Sequence, residues 1–174
     1  MTPRLLTIVA SPLLVALLAL SAVACGAASA TGTPGRQLQD IDTSVVPSTL
    51  NGLQVTHEDI RSTLVKGGAN TYLSAAGLFS VRRQNVVQAT LQISRFNSTA
   101  KPANTKFRQA ILNLLGSGAP TPVTLGTDTV YLTTGNKQRV FVWFKTAYLM
   151  VLSVRDDYDQ PRTLLREALA VNPT

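Results

Sequence analysis

The chain predicts an α+β domain, an antiparallel sheet of about five strands with about three helices packed on it. Three observations predict it. The last third holds three strand-like runs in succession, 129–133, 138–144 and 148–154, separated by turn residues. The run from Val86 to Phe96 alternates strictly, with Val87, Ala89, Leu91 and Ile93 on one side and Gln88, Thr90, Gln92 and Ser94 on the other. Two further stretches, around Phe107–Leu115 and Leu164–Leu169, repeat their apolar residues at helical spacing.

The domain does not begin at residue 1. Arg4 is followed by an uncharged apolar stretch from Leu5 to Leu20, and then by the small residues Ser21, Ala22 and Ala24. A short basic start, an apolar middle and a small-residue end form a secretory signal. Residues 1–24 are therefore set aside as a signal peptide.

The segment "AVAC", Ala22 to Cys25, resembles a bacterial lipobox. The resemblance implies cleavage just before Cys25 and a diacylglyceryl group on its sulfur. Ala22 stands where that pattern most often has Leu. Ala22-Val23-Ala24 and Ala28-Ser29-Ala30 also fit the A-x-A site of an ordinary secreted protein, and that alternative stays open. Cys25 is the only cysteine in the chain. A lone thiol exported to an oxidising compartment has no intramolecular partner, and a thioether-linked lipid removes that liability. The expected location is the outer face of the cell membrane, or the outer membrane of a Gram-negative cell.

Residues 25–46 read GAASATGTPGR from Gly26 to Arg36 and lack a clear period after it, as a tether does. About 20 such residues have a root-mean-square span of roughly 25 Å. The folded domain is expected over 47–174. Its first element is predicted as a helix from Thr56, capped by that residue, with Asp59 three positions on and Ile60, Leu64 and Val65 on its apolar face. Lys66-Gly67-Gly68 would end it. A hairpin follows, 72–82 and 86–96, turning at Arg83-Gln84-Asn85. After a loop over 97–104, Phe107, Ile111, Leu114 and Leu115 mark the second helix, which Gly116-Ser117-Gly118 stops. The three-stranded meander turns at Gly135-Asn136 and Lys145-Thr146. The runs VFVWF and YLMVL are apolar at every position, so both faces of those strands are expected to be covered. Pro161 opens the last helix, with Leu164, Leu165, Ala168 and Leu169 as its buried stripe. This order is similar to the Mog1/PsbP-like arrangement, a sheet sandwiched between helices that occurs in some exported lipoproteins.

Little in the chain suggests catalysis. His57 is the only histidine, and a triad or zinc site needs partners around it. There is no glycine-rich phosphate loop, no G-x-S-x-G elbow and no paired catalytic carboxylates. No cofactor and no catalytic residue is expected. Asp156, Asp157 and Asp159 cluster in "RDDYDQPR", and clustered carboxylates suit a hard cation such as calcium. The competing reading is that they complement the positive end of the following helix, where Arg162 and Arg166 can pair with them. Trp143, Phe141, Phe144 and Tyr148 form an aromatic group on neighbouring strands, either the wall of an apolar pocket or core. Arg82-Arg83 at a hairpin tip, the sequon Asn97-Ser98-Thr99 and the net charge of +7 are assigned to solvated surface. That charge is spread along the chain, favours anionic surfaces such as lipid head groups, and forms no nucleic-acid-binding stripe. The expectation is a lipid-anchored protein whose non-catalytic domain binds an envelope protein or a small apolar ligand. The alternatives are a hydrolase or calcium-dependent protein using the aspartates, and an assembly factor of a membrane complex.

Overall fold

The computed structural model describes residues 38–59, 72–115 and 119–173. Among them are nine strands: β1 (Gln39–Asp40), β2 (Thr49–Leu50), β3 (Leu53–Glu58), β4 (Leu73–Arg83), β5 (Val86–Phe96), β6 (Thr121–Leu125), β7 (Asp128–Gly135), β8 (Gln138–Lys145) and β9 (Tyr148–Arg155). Two α-helices accompany them, α1 (Thr105–Leu115) and α2 (Pro161–Ala170). All nine strands belong to one sheet, in the order β2-β3-β4-β5-β9-β8-β7-β6, with β1 beside β4. The sheet is two four-stranded meanders, β2 to β5 and β6 to β9, joined where the last strand of each meets the other antiparallel, from Ala89 against Val154 to Arg95 against Tyr148.

This corrects the expectation of about five strands with about three helices, and the Mog1/PsbP-like arrangement drawn from it: the sheet has nine strands, with two α-helices among the described residues. The missed strands are those whose pattern is weakest. β1 and β2 are two residues each, too short for any period. β6, TPVTL, is an edge strand that is exposed over its first four residues and contains Pro122, so it shows neither alternation nor an unbroken ladder. Thr56, His57 and Glu58 end β3 instead of opening a helix, because Val55 lies opposite Val81 and His57 opposite Phe79 along β4. The local cap pattern at Thr56 lost to strand pairing. The remainder of that expected helix, Ile60 through Gly68, lies outside the described residues, as do Gly116-Ser117-Gly118 and the side chain of Leu114.

The sheet is covered on both sides, as the unbroken apolar runs of β8 and β9 require. One face gathers Phe79, Leu91, Ile93, Phe141, Trp143, Met150 and Leu152 under Leu164, Leu165 and Ala168 of α2. Full burial of each of those two leucines stabilises by roughly 1.5–3 kcal/mol. Pro161 sits in the first turn of α2, where its missing N–H costs nothing. The other face gathers Ala76, Phe96, Val142, Leu149 and Val151 under Ile111 and Leu112 of α1.

Residues 38–46, placed by the sequence at the end of the tether, lie within this body. Gln39 and Asp40 pair in parallel with Ala75 and Ala76 of β4, beyond the point where β3 stops. Leu38, Ile41 and Val46 are buried. Gly77 makes that crossing possible: a Cβ there would stand 2.6 Å from Ile41 Cγ1 and 2.9 Å from its Cδ1.

Candidate functional site

The acidic turn RDDYDQ follows β9 at one end of the sheet, beside the β4–β5 and β7–β8 turns. Its carboxylates point to three different guanidinium groups. Arg155 grips Asp157 with two hydrogen bonds, 2.9 Å from Nε to Oδ1 and 2.5 Å from a terminal nitrogen to Oδ2. Arg139 stands 3.6 Å from Asp156 Oδ1, and Arg83 stands 3.6 Å from Asp159 Oδ1. The hydrogen bonds from Arg155 hold the Asp157 carboxyl below its ordinary value. Arg162 and Arg166, the partners expected from helical spacing, take no part in these pairs.

Arg139 organises the turn through the backbone as well. Its guanidinium donates to the carbonyls of Asp156 at 2.8 Å and Tyr158 at 3.1 Å, and more weakly to that of Arg155. The Asp156 and Tyr158 carbonyls, oxygens of the kind a calcium ion takes as ligands, are thus already engaged by Arg139. No group of three or more His, Cys, Asp or Glu side chains that could hold a metal exists among the described residues. Tyr158 completes the turn. Its hydroxyl accepts a 2.7 Å hydrogen bond from the Asn51 side chain, and Arg83 stacks 5.6 Å above its ring. Asn51 also donates to Gln160 Oε1 and, through its backbone N–H, to Glu167. The turn is thereby fastened to the β2–β3 corner and to α2.

The arginines that hold this turn were missed from the sequence, yet a signal existed. Arg139 lies one position from the start of β8, opposite Val154, so hairpin register alone brings it to the residues after Arg155. His57 lies apart on β3, exposed, with its ring 5.2 Å from that of Phe79. Its neighbour Glu58 accepts a 2.8 Å ion pair from Arg82. Partial burial works against the Glu58 carboxylate, but hydrogen bonds from Ser80 and Arg82 outweigh it and hold its carboxyl below the ordinary value.

The aromatic group is divided by the sheet. Phe141, Trp143 and Tyr148 join the face under α2, whereas Phe144 belongs to the α1 face. Trp143 is 1% exposed and lies opposite Met150. Its indole N–H has no hydrogen-bond partner among the described residues. Phe144 instead meets Phe96, stacked at 6.5 Å, and Tyr131, edge-on at 6.3 Å, while Arg108 of α1 lies 5.2 Å over its ring. Phe107 extends this second cluster to Phe96 and Tyr72. Trp143 is thus core, and the four residues do not share one wall. At the opposite end of the sheet from the acidic turn, Lys145 donates to the carbonyls of Leu169 at 2.9 Å and Val171 at 2.6 Å, closing the C-terminus of α2. Burial lowers its ammonium pKa, against the pull of Asp128.

Cys25 and the rest of the signal and tether up to residue 37 lie outside the described residues. None of the described helices is long and apolar enough to cross a membrane. Comparison with protein-family models, with curated proteins and with solved structures finds no match.

Proposed function

We propose that the chain is an exported lipoprotein, held on the outer face of the membrane through acylated Cys25, whose domain binds another protein of the envelope. The observation that carries the reading is the lone cysteine placed directly after a signal-like stretch, in "LSAVAC". Each buried methylene of an acyl chain contributes about 0.8 kcal/mol of membrane affinity, so a doubly or triply acylated cysteine is a durable anchor. A protein partner is favoured over a small apolar ligand because Trp143 is core and its aromatic neighbours are split between two faces. The test is mass spectrometry of the mature N-terminus from membranes. Cleavage before Cys25 with a diacylglyceryl-sized addition is expected. An unmodified Cys25, or cleavage elsewhere, would falsify the anchor.

The alternative of a calcium-dependent or hydrolytic protein rests on Asp156, Asp157 and Asp159. The ion pairs to Arg139, Arg155 and Arg83 weigh against it. Calcium titration of the protein is expected to leave its melting temperature unchanged, and Asp157→Asn is expected to leave that null response as it is. A saturable upward shift abolished by the substitution would restore the metal reading.

A further inference from the structure

The chain enters the described domain at a defined end of the sheet. Gln39 pairs with Ala75, close to where β4 begins. The same end holds the C-terminus of β5, the β8–β9 turn and the loop before α1: Phe96 N–H bonds Ala147 O, and Asn97 N–H bonds Tyr72 O. Three exposed cations lie here, Arg95, Lys101 and Lys106, and none forms an ion pair among the described residues. Among the described residues the acids placed toward this end are Asp40, Asp59 and Asp128.

The loop that carries the lysines is built to hold its shape. Asn97 Oδ1 accepts from Thr99 N–H, the Thr99 hydroxyl and Ala100 N–H, at 3.0, 2.6 and 3.2 Å. Asn104 Oδ1 accepts from Lys106 and Phe107 N–H. Arg108 donates back to Pro102 O while lying over Phe144. The first turn of α1 contains no acid, and Lys106 stands where the helix dipole disfavours a cation. At the far end of the sheet the hairpin-tip and turn arginines 82, 83, 139 and 155 each have a carboxylate partner.

We propose that the tether-entry end of the sheet, through Arg95, Lys101 and Lys106, rests on anionic lipid head groups. The proposal builds on the reading that Cys25 is the anchor. With residues 38–46 inside the folded body, the tether is 25–37, about 13 residues spanning roughly 20 Å, so an anchored domain stays within reach of the surface. Each basic residue near an anionic leaflet strengthens attachment roughly fivefold, and salt screens the effect.

The experiment is lysine acetylation read by mass spectrometry, on the full mature protein held in vesicles. Lys101 and Lys106 are expected to react severalfold more slowly on phosphatidylglycerol-rich vesicles than on pure phosphatidylcholine, and high salt should restore them. Lys137, exposed in the β7–β8 turn at the far end, should react equally on both. Equal labelling of Lys101 and Lys106 on the two vesicle types overturns the proposal, and so does matching protection of Lys137. The two readings fail separately. A lipidated Cys25 with unprotected lysines removes the surface and leaves the anchor. Selective protection of Lys101 and Lys106 by added vesicles, on a chain with no lipid, removes the anchor and leaves the surface. The double variant Lys101→Glu, Lys106→Glu alters only exposed side chains. It should lose the difference that phosphatidylglycerol makes at the neighbouring loop, measured by hydrogen exchange over 97–104.

Discussion

Gly77→Ala tests whether residues 38–46 belong to the folded body. In an unhindered strand, alanine for glycine stabilises by about 0.4–1 kcal/mol, because the unfolded chain loses freedom. Here the added methyl would stand 2.6 Å from Ile41 Cγ1 and 3.2 Å from Phe79 Cε2. Cγ1 belongs to the stem of a buried, β-branched side chain, which cannot swing aside as a long flexible tip can. Forcing a methyl into such a contact costs about 1–3 kcal/mol. The clash outweighs the entropic gain, and the net expectation is destabilisation by about 1–2 kcal/mol. The assay is urea unfolding followed by tryptophan emission. Ile41→Ala supplies the control, since it creates a cavity costing at least about 2 kcal/mol by itself. Combined with Gly77→Ala, part of that cavity is filled and the clash is gone. The double variant should therefore be less destabilised than the sum of the singles, by about 1 kcal/mol or more. If Gly77→Ala is as stable as the parent, or if the two effects simply add, then β1 does not cross over Gly77 and the reasoning fails.

Three further outcomes follow from the core and the ion pairs. Trp143 is the one tryptophan and is buried, so its emission should be blue-shifted in the native protein and move red on unfolding. Trp143→Ala should cost about 3–5 kcal/mol, whereas Trp143→Phe, which deletes an unpaired buried donor, should cost well under half of that; both remove the only tryptophan, so their urea unfolding is followed by circular dichroism. Glu58 has its pKa lowered from 4.5 in the fold, so its carboxylate adds stability above that value, and the contribution is lost as pH falls through the folded pKa. Glu58→Gln should therefore narrow the difference from the parent below pH 4.5 and show its full deficit at neutral pH, measured as melting temperature against pH.

The legible part of the fold was the part with a period. β5 and α2 fall where their patterns placed them, because alternation and the Leu164/Leu165/Ala168 stripe each report a buried face directly. β8 and β9 were legible as buried on both sides. What escaped was decided by partners far along the chain. The capping signature at Thr56 is local, while the pairing of Val55 with Val81 and His57 with Phe79 is not. Two-residue strands such as β1 exist only because β4 offers them a free ladder. At the acidic turn the carboxylates were visible in sequence, but the rule for helical neighbours named Arg162 and Arg166. Strand register supplied Arg139, and hairpin geometry supplied Arg83, instead. The aromatic group failed as a unit for a simpler reason: adjacent positions 143 and 144 on a strand point to opposite sides.

The junction of β5 with β9 also dictates how the chain reaches its native state. Every other antiparallel contact of the sheet joins strands consecutive in sequence, through two-residue turns except for the fourteen-residue connection 59–72 between β3 and β4. The β5–β9 contact alone must bring together segments separated by α1, β6, β7 and β8. Loop-closure entropy makes such a contact late and slow. Until it forms, both meanders show an open edge of eight or more residues, β5 and β9, each rich in apolar side chains. The step expected last in folding is therefore the zipping of Ala89–Arg95 onto Tyr148–Val154, and the interval before it is when two unfinished molecules are best matched to pair with one another.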